Sequence, residues 1–253
     1  MFQMWLFFCI FAYISLMSYQ LFYIEPVDKE TAILNADETR HALKALRHVQ
    51  GDTLFCVDGR GNLYETSILV IGKKECILKI NKITPNFNNH PYHLHIGIAI
   101  TRNPDRMEWF VEKATEIGIN KITPIVTKRT EKIRVNNERL KKIALAAIKQ
   151  SQKAYLPEIS EPINLKEFIA KEQAVQKFIP HCYDDNSRLW LHQIAKPTTD
   201  TIIIIGPEGD FTEDEVALAV DNQYLPVKIS PTILRTETAG IHCCQTISLV
   251  NLQ

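Results

Sequence analysis

Two short stretches of the chain carry residue types that can do chemistry. 205-IGPEGDF-211 and 233-ILRTETA-239 place Glu208, Arg235 and Glu237 in two loops about twenty residues apart. A guanidinium beside two carboxylates has two readings. It can stabilise negative charge that develops on a substrate, with a carboxylate at hand to take a proton or to orient the guanidinium. Alternatively, the three pair with one another and only hold the loops. Glycine argues for a ligand: the chain has nine in 253 residues, and Gly206 and Gly209 bracket Pro207-Glu208. Glycine accepts close approach that a Cβ forbids, and proline stiffens the turn. On spacing alone, a rigid turn with Glu208 paired to a lysine accounts for the stretch about as well as a ligand loop does.

The elements around these loops decide where they sit. 201-TIIII-205 is uniformly apolar, as a strand covered on both faces should be. Thr212 and Glu215 have the spacing of a capping box and predict a helix start. Gly206–Phe211 therefore joins the carboxyl end of a buried strand to a helix, where open α/β sheets bind ligands. The second loop repeats this grammar, from Ile229 through Pro231 and Arg235 into a helix beginning near Thr236. No GxGxxG follows a strand and no GxxxxGK[ST] is present, so neither a dinucleotide fold nor a P-loop is indicated.

From His93 onward strands and helices alternate. Strands are expected at Leu94–Ile100, Ile122–Val126, Lys177–Cys182, Thr201–Ile205 and Val227–Ile229. Helices are expected from Asn103-Pro104 to Gly118 and over Asn136–Lys153. This pattern predicts an α/β domain over 93–253 with a mainly parallel sheet. Residues 19–83 read differently. A strand at Gln20–Ile24 precedes a helix near Glu38–His48, capped by Asn35 or Asp37, in which Ala42, Leu43, Leu46 and Val49 fall at helical spacing. Strands at Thr53–Val57, Leu63–Ile71 and Cys76–Ile83 follow, joined by tight turns. Such a run suggests a small barrel, with 84–92 as a linker.

Composition bounds the partners. The formal net charge is zero, so an anionic partner must be met by a local patch. Lys128 to Lys153 supplies one, with nine basic side chains against Glu131 and Glu138. Since i,i+4 partners are scarce there, the segment is expected to contact phosphates. Six cysteines without CxxC spacing indicate a reducing, cytoplasmic compartment. His181, His242, Cys243 and Cys244 make a poor metal set and read as packing residues. Residues 1–18 conflict with a cytoplasmic reading, because no charged side chain occurs before Glu25. A membrane anchor, a secretory signal and a true start at Met17 all account for the leader. The start at Met17 is preferred, and a membrane partner is not expected.

The two loops together resemble the signature of the 16S ribosomal RNA (uracil-N3) methyltransferases, a branch of the SPOUT superfamily. Three further segments extend the likeness: 105-DRMEWFVEKATEIGINKITPIVTKRT-130, 146-AAIKQSQKAYLPEI-159, and 41-HALKALRHVQGD-52 with 58-DGRG-61. The match runs from Tyr19 to Gln253. It departs at Asp210, where many relatives carry a second glycine, and at Ser230-Pro231-Thr232, where Gly-Pro-Arg is common. The resemblance implies a PUA-like β-barrel followed by a SPOUT α/β domain with a trefoil knot. It also implies a homodimer, S-adenosyl-L-methionine as cofactor and 16S RNA of the small ribosomal subunit as partner. Ile205, Gly206, Pro207, Glu208, Gly209, Ile229, Leu234, Thr236, Thr238 and Ala239 become the expected cofactor residues, and Arg235, Glu237 and Glu208 the expected catalytic ones. Lys128, Arg129, Lys132, Arg134, Gln150, Ser151, Lys153, His41 and Arg47 are the expected RNA contacts. The competing reading from another class is a non-catalytic RNA-binding protein of ribosome assembly.

Overall fold

Strands β1 (Leu21–Tyr23) and β2 (Glu25–Pro26) are separated by one residue, yet they lie at opposite ends of a six-stranded sheet. With β3 (Thr31–Leu34), β4 (Thr53–Val57), β5 (Leu63–Ile71) and β6 (Cys76–Thr84) the order is β1-β4-β5-β6-β3-β2. A sheet whose two edges are adjacent in sequence must curl almost into a closed barrel. Its interior holds Phe22, Ile24, Leu34, Leu54, Tyr64, Ile68 and Leu78. The computed structural model describes residues 20–131, 134–183 and 188–252. The leader, 1–18, lies outside them. The chain divides into two compact units at Phe87/Asn88.

The sequence expectation for the helix of this unit needs correction. Asn35 caps it, accepting from the amides of Asp37 and Glu38, so it starts at Ala36, two residues early. It then widens into one π-turn, His41–Ala45, and stops. The amides of Leu46 and His48 reach back to the carbonyls of His41 and Ala42, and Arg47 takes the left-handed φ of +60° that ends the helix. Leu46 and Val49, expected to continue the helical spacing, therefore lie beyond the helix and are exposed. The short strands β2 and β3 were not anticipated.

In the second unit every strand pair is parallel. It contains β7 (Leu94–Ala99), β8 (Lys121–Val126), β9 (Glu158–Ile159), β10 (Ile163–Asn164), β11 (Gln176–Pro180), β12 (Leu189–Trp190), β13 (Thr201–Ile205) and β14 (Leu225–Lys228). The order is β10-β8-β7-β13-β11-β14-β12, with β9 on β8. Every residue of β7 and β13 is buried, because helices cover both faces. The helices are α2 (Pro104–Ile117), α3 (Asn137–Gln150), α4 (Leu165–Lys171), α5 (Leu191–Ile194), α6 (Glu213–Asp221) and α7 (Thr236–Val250), counting Ala36–Arg40 as α1. Gly97 in β7 lets α4 close in: a Cβ there would sit 2.7 Å from the Phe168 ring. Gly240 does the same between α7 and α2, where a Cβ would meet the Phe110 ring at 2.5 Å.

The central strand also carries a buried histidine. Burial, then the charge of Lys121, pulls the His95 pKa down to about 3. Its Nε2 lies 2.8 Å from Thr123 Oγ1. Its Nδ1 is 3.5 Å from Glu172, but that carboxylate is taken by Lys121 at 3.1 Å, so the ring stays neutral. In the unfolded chain histidine binds a proton near pH 6.5. Below that pH the unfolded state holds more protons than the native one, so stability falls as pH falls. The urea midpoint should drop between about pH 6.5 and 5.5, where carboxylates remain ionised, and His95→Gln should flatten that drop. A wild-type midpoint unchanged across this window would contradict a neutral His95.

Candidate active site

Strands β13, β11 and β14 are neighbours, so the loops at their carboxyl ends converge. Between them lies a cleft of about 370 Å³. Ile205, Gly206, Pro207, Glu208, Ile229, Leu234, Thr236 and Ala239, eight of the ten residues expected to meet a cofactor, line it. Two expected residues do not. Gly209 turns its carbonyl to Arg129 Nη1 at 2.6 Å, and Thr238 faces a neighbouring pocket with Arg235 and Glu237. The Thr236 hydroxyl donates to the Gly206 carbonyl at 3.0 Å and ties the two loops together. A Cβ on Gly206 would stand 3.1 Å from the Phe211 ring, which explains the glycine there.

The third wall, with Pro180, His181, Cys182, Arg188 and Trp190, was not foreseen. Its loop carries no glycine or motif, and only the strand order brings it to the site. His181, read from sequence as a packing residue, is part of this wall. Arg188 holds the wall's own backbone through the carbonyls of His181 and Tyr183. Asp210 fastens the wall to the first loop. Its backbone is left-handed, φ +61°, a conformation that favours glycine. Its carboxylate accepts from the amides of Cys182 at 2.7 Å and Phe211 at 2.8 Å. Burial, then the Asp210 charge, pushes the Cys182 thiol up.

The expected carboxylates are paired, but not with Arg235. Arg106, which sequence reading passed over, reaches Glu208 at 3.4 Å and Glu237 at 3.7 Å. The Arg102 amide also donates to Glu208, at 3.2 Å. Among the described residues Arg235 has no carboxylate within ion-pair distance. Pairing of Arg235 with Glu208 or Glu237 is therefore not what the structure shows. Glu237 is 9% exposed at its side chain, and its Oε2 is buried with no hydrogen-bond partner among the described residues.

The basic segment is less free than its local sequence suggests. Lys128 pairs with Asp214 at 2.7 Å, and its amide donates to Glu215 at the same distance. Arg129 is engaged by the carbonyls of Gly209 and Phe211. Arg139 makes a two-pronged pair with Glu108, and Lys141 pairs with Glu138. Only partners along the chain were counted from sequence; Asp214 and Glu108 arrive through the fold. Burial lowers the pKa of Lys153, which donates to the Ile117 carbonyl at 3.4 Å. Ser151 caps back onto Ala147, whereas Arg134, Gln150, His41 and Arg47 are exposed. Lys132 lies outside the described residues.

Comparison with known proteins agrees with this geometry. A family model described as an RNA methyltransferase domain matches residues 88–248, and one described as an RNA methyltransferase PUA domain matches 34–81. The ribosomal RNA small subunit methyltransferase E of Buchnera aphidicola is 32% identical over 230 residues, 87% of this chain and 88% of that protein. Its namesake from Rickettsia conorii is 28% identical, covering 92% and 97%. Among solved structures, the "probable rRNA-methyltransferase" of Porphyromonas gingivalis superposes with TM-score 0.86 at 34% identity, over 92% of this chain and 98% of that one. A Legionella pneumophila protein solved in complex with bound cofactor SAM superposes with TM-score 0.81 at 26% identity, over 93% and 99%.

Proposed function

Because the chain belongs to the RNA methyltransferase family that includes the small-subunit methyltransferase E proteins, we propose that it methylates N3 of a uridine in 16S ribosomal RNA, using S-adenosyl-L-methionine. The observation that carries this reading is the three-loop cleft at the ends of β13, β11 and β14. Its lining fits a nucleoside with a charged tail. Apolar Ile205, Ile229, Leu234 and Ala239 line the cleft beside the polar side chains of Glu208, Ser230 and Thr232.

When bound, S-adenosylmethionine supplies a methyl group on a positively charged sulfur, so positioning matters more than acid. The residues of this chain do the rest. Thr236 locks the 206–211 loop against the start of α7. Arg106 holds Glu208 and Glu237 together and leaves Arg235 available for charge developing on the uracil carbonyls. The N3 proton leaves to Glu237, to Glu208 or to water. The base must be out of its pair, since N3 lies on the Watson–Crick edge.

Calorimetry separates this reading from a non-catalytic RNA-binding protein. The methyltransferase binds S-adenosylmethionine; absence of binding would leave only the other. Arg129 gives a sharper expectation. Its two bonds to loop carbonyls are charge-assisted, so Arg129→Ala should weaken S-adenosylmethionine binding roughly tenfold. Unchanged cofactor affinity, with a flatter salt dependence of RNA binding, would instead make Arg129 a phosphate contact.

A homodimer is part of the proposal. Helix α7 buries Cys243, Cys244, Ile247 and Val250 within its own chain, while Leu249 is 53% exposed and Leu252 beyond it 77%. Sedimentation should give a dimer at micromolar concentration; an active monomer would defeat this. No helix among the described residues is long and apolar enough to cross a membrane, and a cytoplasmic site of action is proposed with the substrate.

A further inference from the structure

Beside the cofactor cleft lies a second pocket of about 310 Å³, lined by Asp105, Arg106, Trp109, Arg235, Glu237 and Thr238. The two adjoin through the first turn of α7. Thr236 lines the cleft, while its neighbours Arg235 and Glu237 line the pocket. Arg106 joins them as well, since it contacts Glu208 of the cleft.

Among the described residues, three features of this pocket lack a partner. Trp109 is 43% exposed, although Met107, Phe110, Val111 and Ala114 of the same helix are buried. Arg235 has no carboxylate among the described residues. Glu237 Oε2 is buried with no donor, a state whose desolvation cost a ligand N–H would recover. One ligand must answer all three. A flat ring suits the exposed indole. Carbonyl oxygens suit the guanidinium. An N–H suits the orphan carboxylate oxygen. The imide edge of an unpaired uracil, an N–H between two carbonyls, has this set; cytosine presents a bare ring nitrogen to Glu237 instead.

We propose that this pocket receives the uracil base of the RNA, with Trp109 as its stacking platform and Glu237 as the group that reads its N–H. The proposal rests on the methyltransferase reading of the adjoining cleft and deepens it. A second copy of the chain is a weaker occupant, because four of the six lining residues are charged and interface cores are depleted of charge.

The tryptophans make the test direct. The chain has three: Trp5 in the leader, Trp109 in this pocket and Trp190 in the cofactor cleft. Full-length protein is titrated with an unstructured uridine oligoribonucleotide, with its cytidine counterpart, and separately with S-adenosylmethionine. The uridine strand should quench Trp109 fluorescence, and Trp109→Phe should abolish that signal while keeping affinity within roughly threefold. Trp109→Ala should weaken uridine-strand binding roughly tenfold or more, with the S-adenosylmethionine response of Trp190 intact. Glu237→Gln, whose amide can donate to cytosine, should erode the preference for uridine. Equal binding of both strands by the wild type would overturn the proposal, as would full affinity in Trp109→Ala. A shift of that variant from dimer to monomer without loss of RNA affinity would also overturn it and mark a subunit contact. Uridine-selective quenching without any S-adenosylmethionine binding would uphold the base pocket and sink the methyltransferase reading alone.

Discussion

Arg235→Ala should cut turnover by roughly 10²–10³, the cost of removing one donor from a developing oxyanion. The affinity for S-adenosylmethionine should stay within about an order of magnitude, because Arg235 does not line the cleft proposed to hold it. The size of the effect follows from the surroundings. Arg106 already neutralises Glu208 and Glu237, so among the described residues the Arg235 guanidinium is not spent on an internal pair. Its removal leaves no buried charge without compensation, and stability should change little. Single-turnover kinetics and a thermal melt on the same preparation check both halves. Near-normal turnover would make Arg235 structural.

Phe211→Ala should have the largest effect on the fold of the site. The ring is fully buried, packed in the core with Ala99, Ile125, Tyr224 and the α4 side chains Leu165 and Phe168. It is the anchor of the 206–211 loop, and its carbonyl also accepts from Tyr183 at 2.8 Å. Truncating a core phenylalanine costs about 3–5 kcal/mol. At about 2–4 °C per kcal/mol for a chain of this size, the melting temperature should fall by roughly 6–20 °C. Cofactor affinity should fall with it, since the anchor fixes the cleft wall. A melting temperature within about 2 °C of wild type would show that the loop does not depend on this anchor.

How much of this was readable in the residues varies with the kind of signal. The apolar run Thr201–Ile205 and the Thr212/Glu215 box marked the first loop without ambiguity, because burial on two faces and reciprocal capping have direct sequence forms. The third wall had none. Cys182 reaches the cleft because β11 sits between β13 and β14, and Trp190 because β12 lies against β14; strand order is not written in local periodicity. Arg106 was missed for a related reason: on α2 it reads as one more charged surface position, and its two carboxylates, Glu208 and Glu237, lie more than a hundred residues away in sequence. The trefoil knot is implied only by the family resemblance, and hydrophobic patterning carries no trace of threading. The misplaced end of α1 has another cause. Ala42, Leu43, Leu46 and Val49 keep a helical period, but Arg47 adopts a left-handed conformation that nothing in its side chain announces. Asp210 shows the opposite case. It stood out as a departure from a glycine, and its φ of +61° with the bond to Cys182 supplies the reason a glycine or a tethered acid is needed there.

The central claim is methyl transfer to a uridine of small-subunit RNA, and nucleoside mass spectrometry tests it most directly. Small subunits from a strain lacking this gene are incubated with the purified chain and isotopically labelled S-adenosylmethionine, and the RNA is digested to nucleosides. The account predicts labelled 3-methyluridine approaching one per subunit, absent without enzyme and strongly reduced with Arg235→Ala. Label on any other nucleoside, or none at all from a chain that binds S-adenosylmethionine, would contradict it.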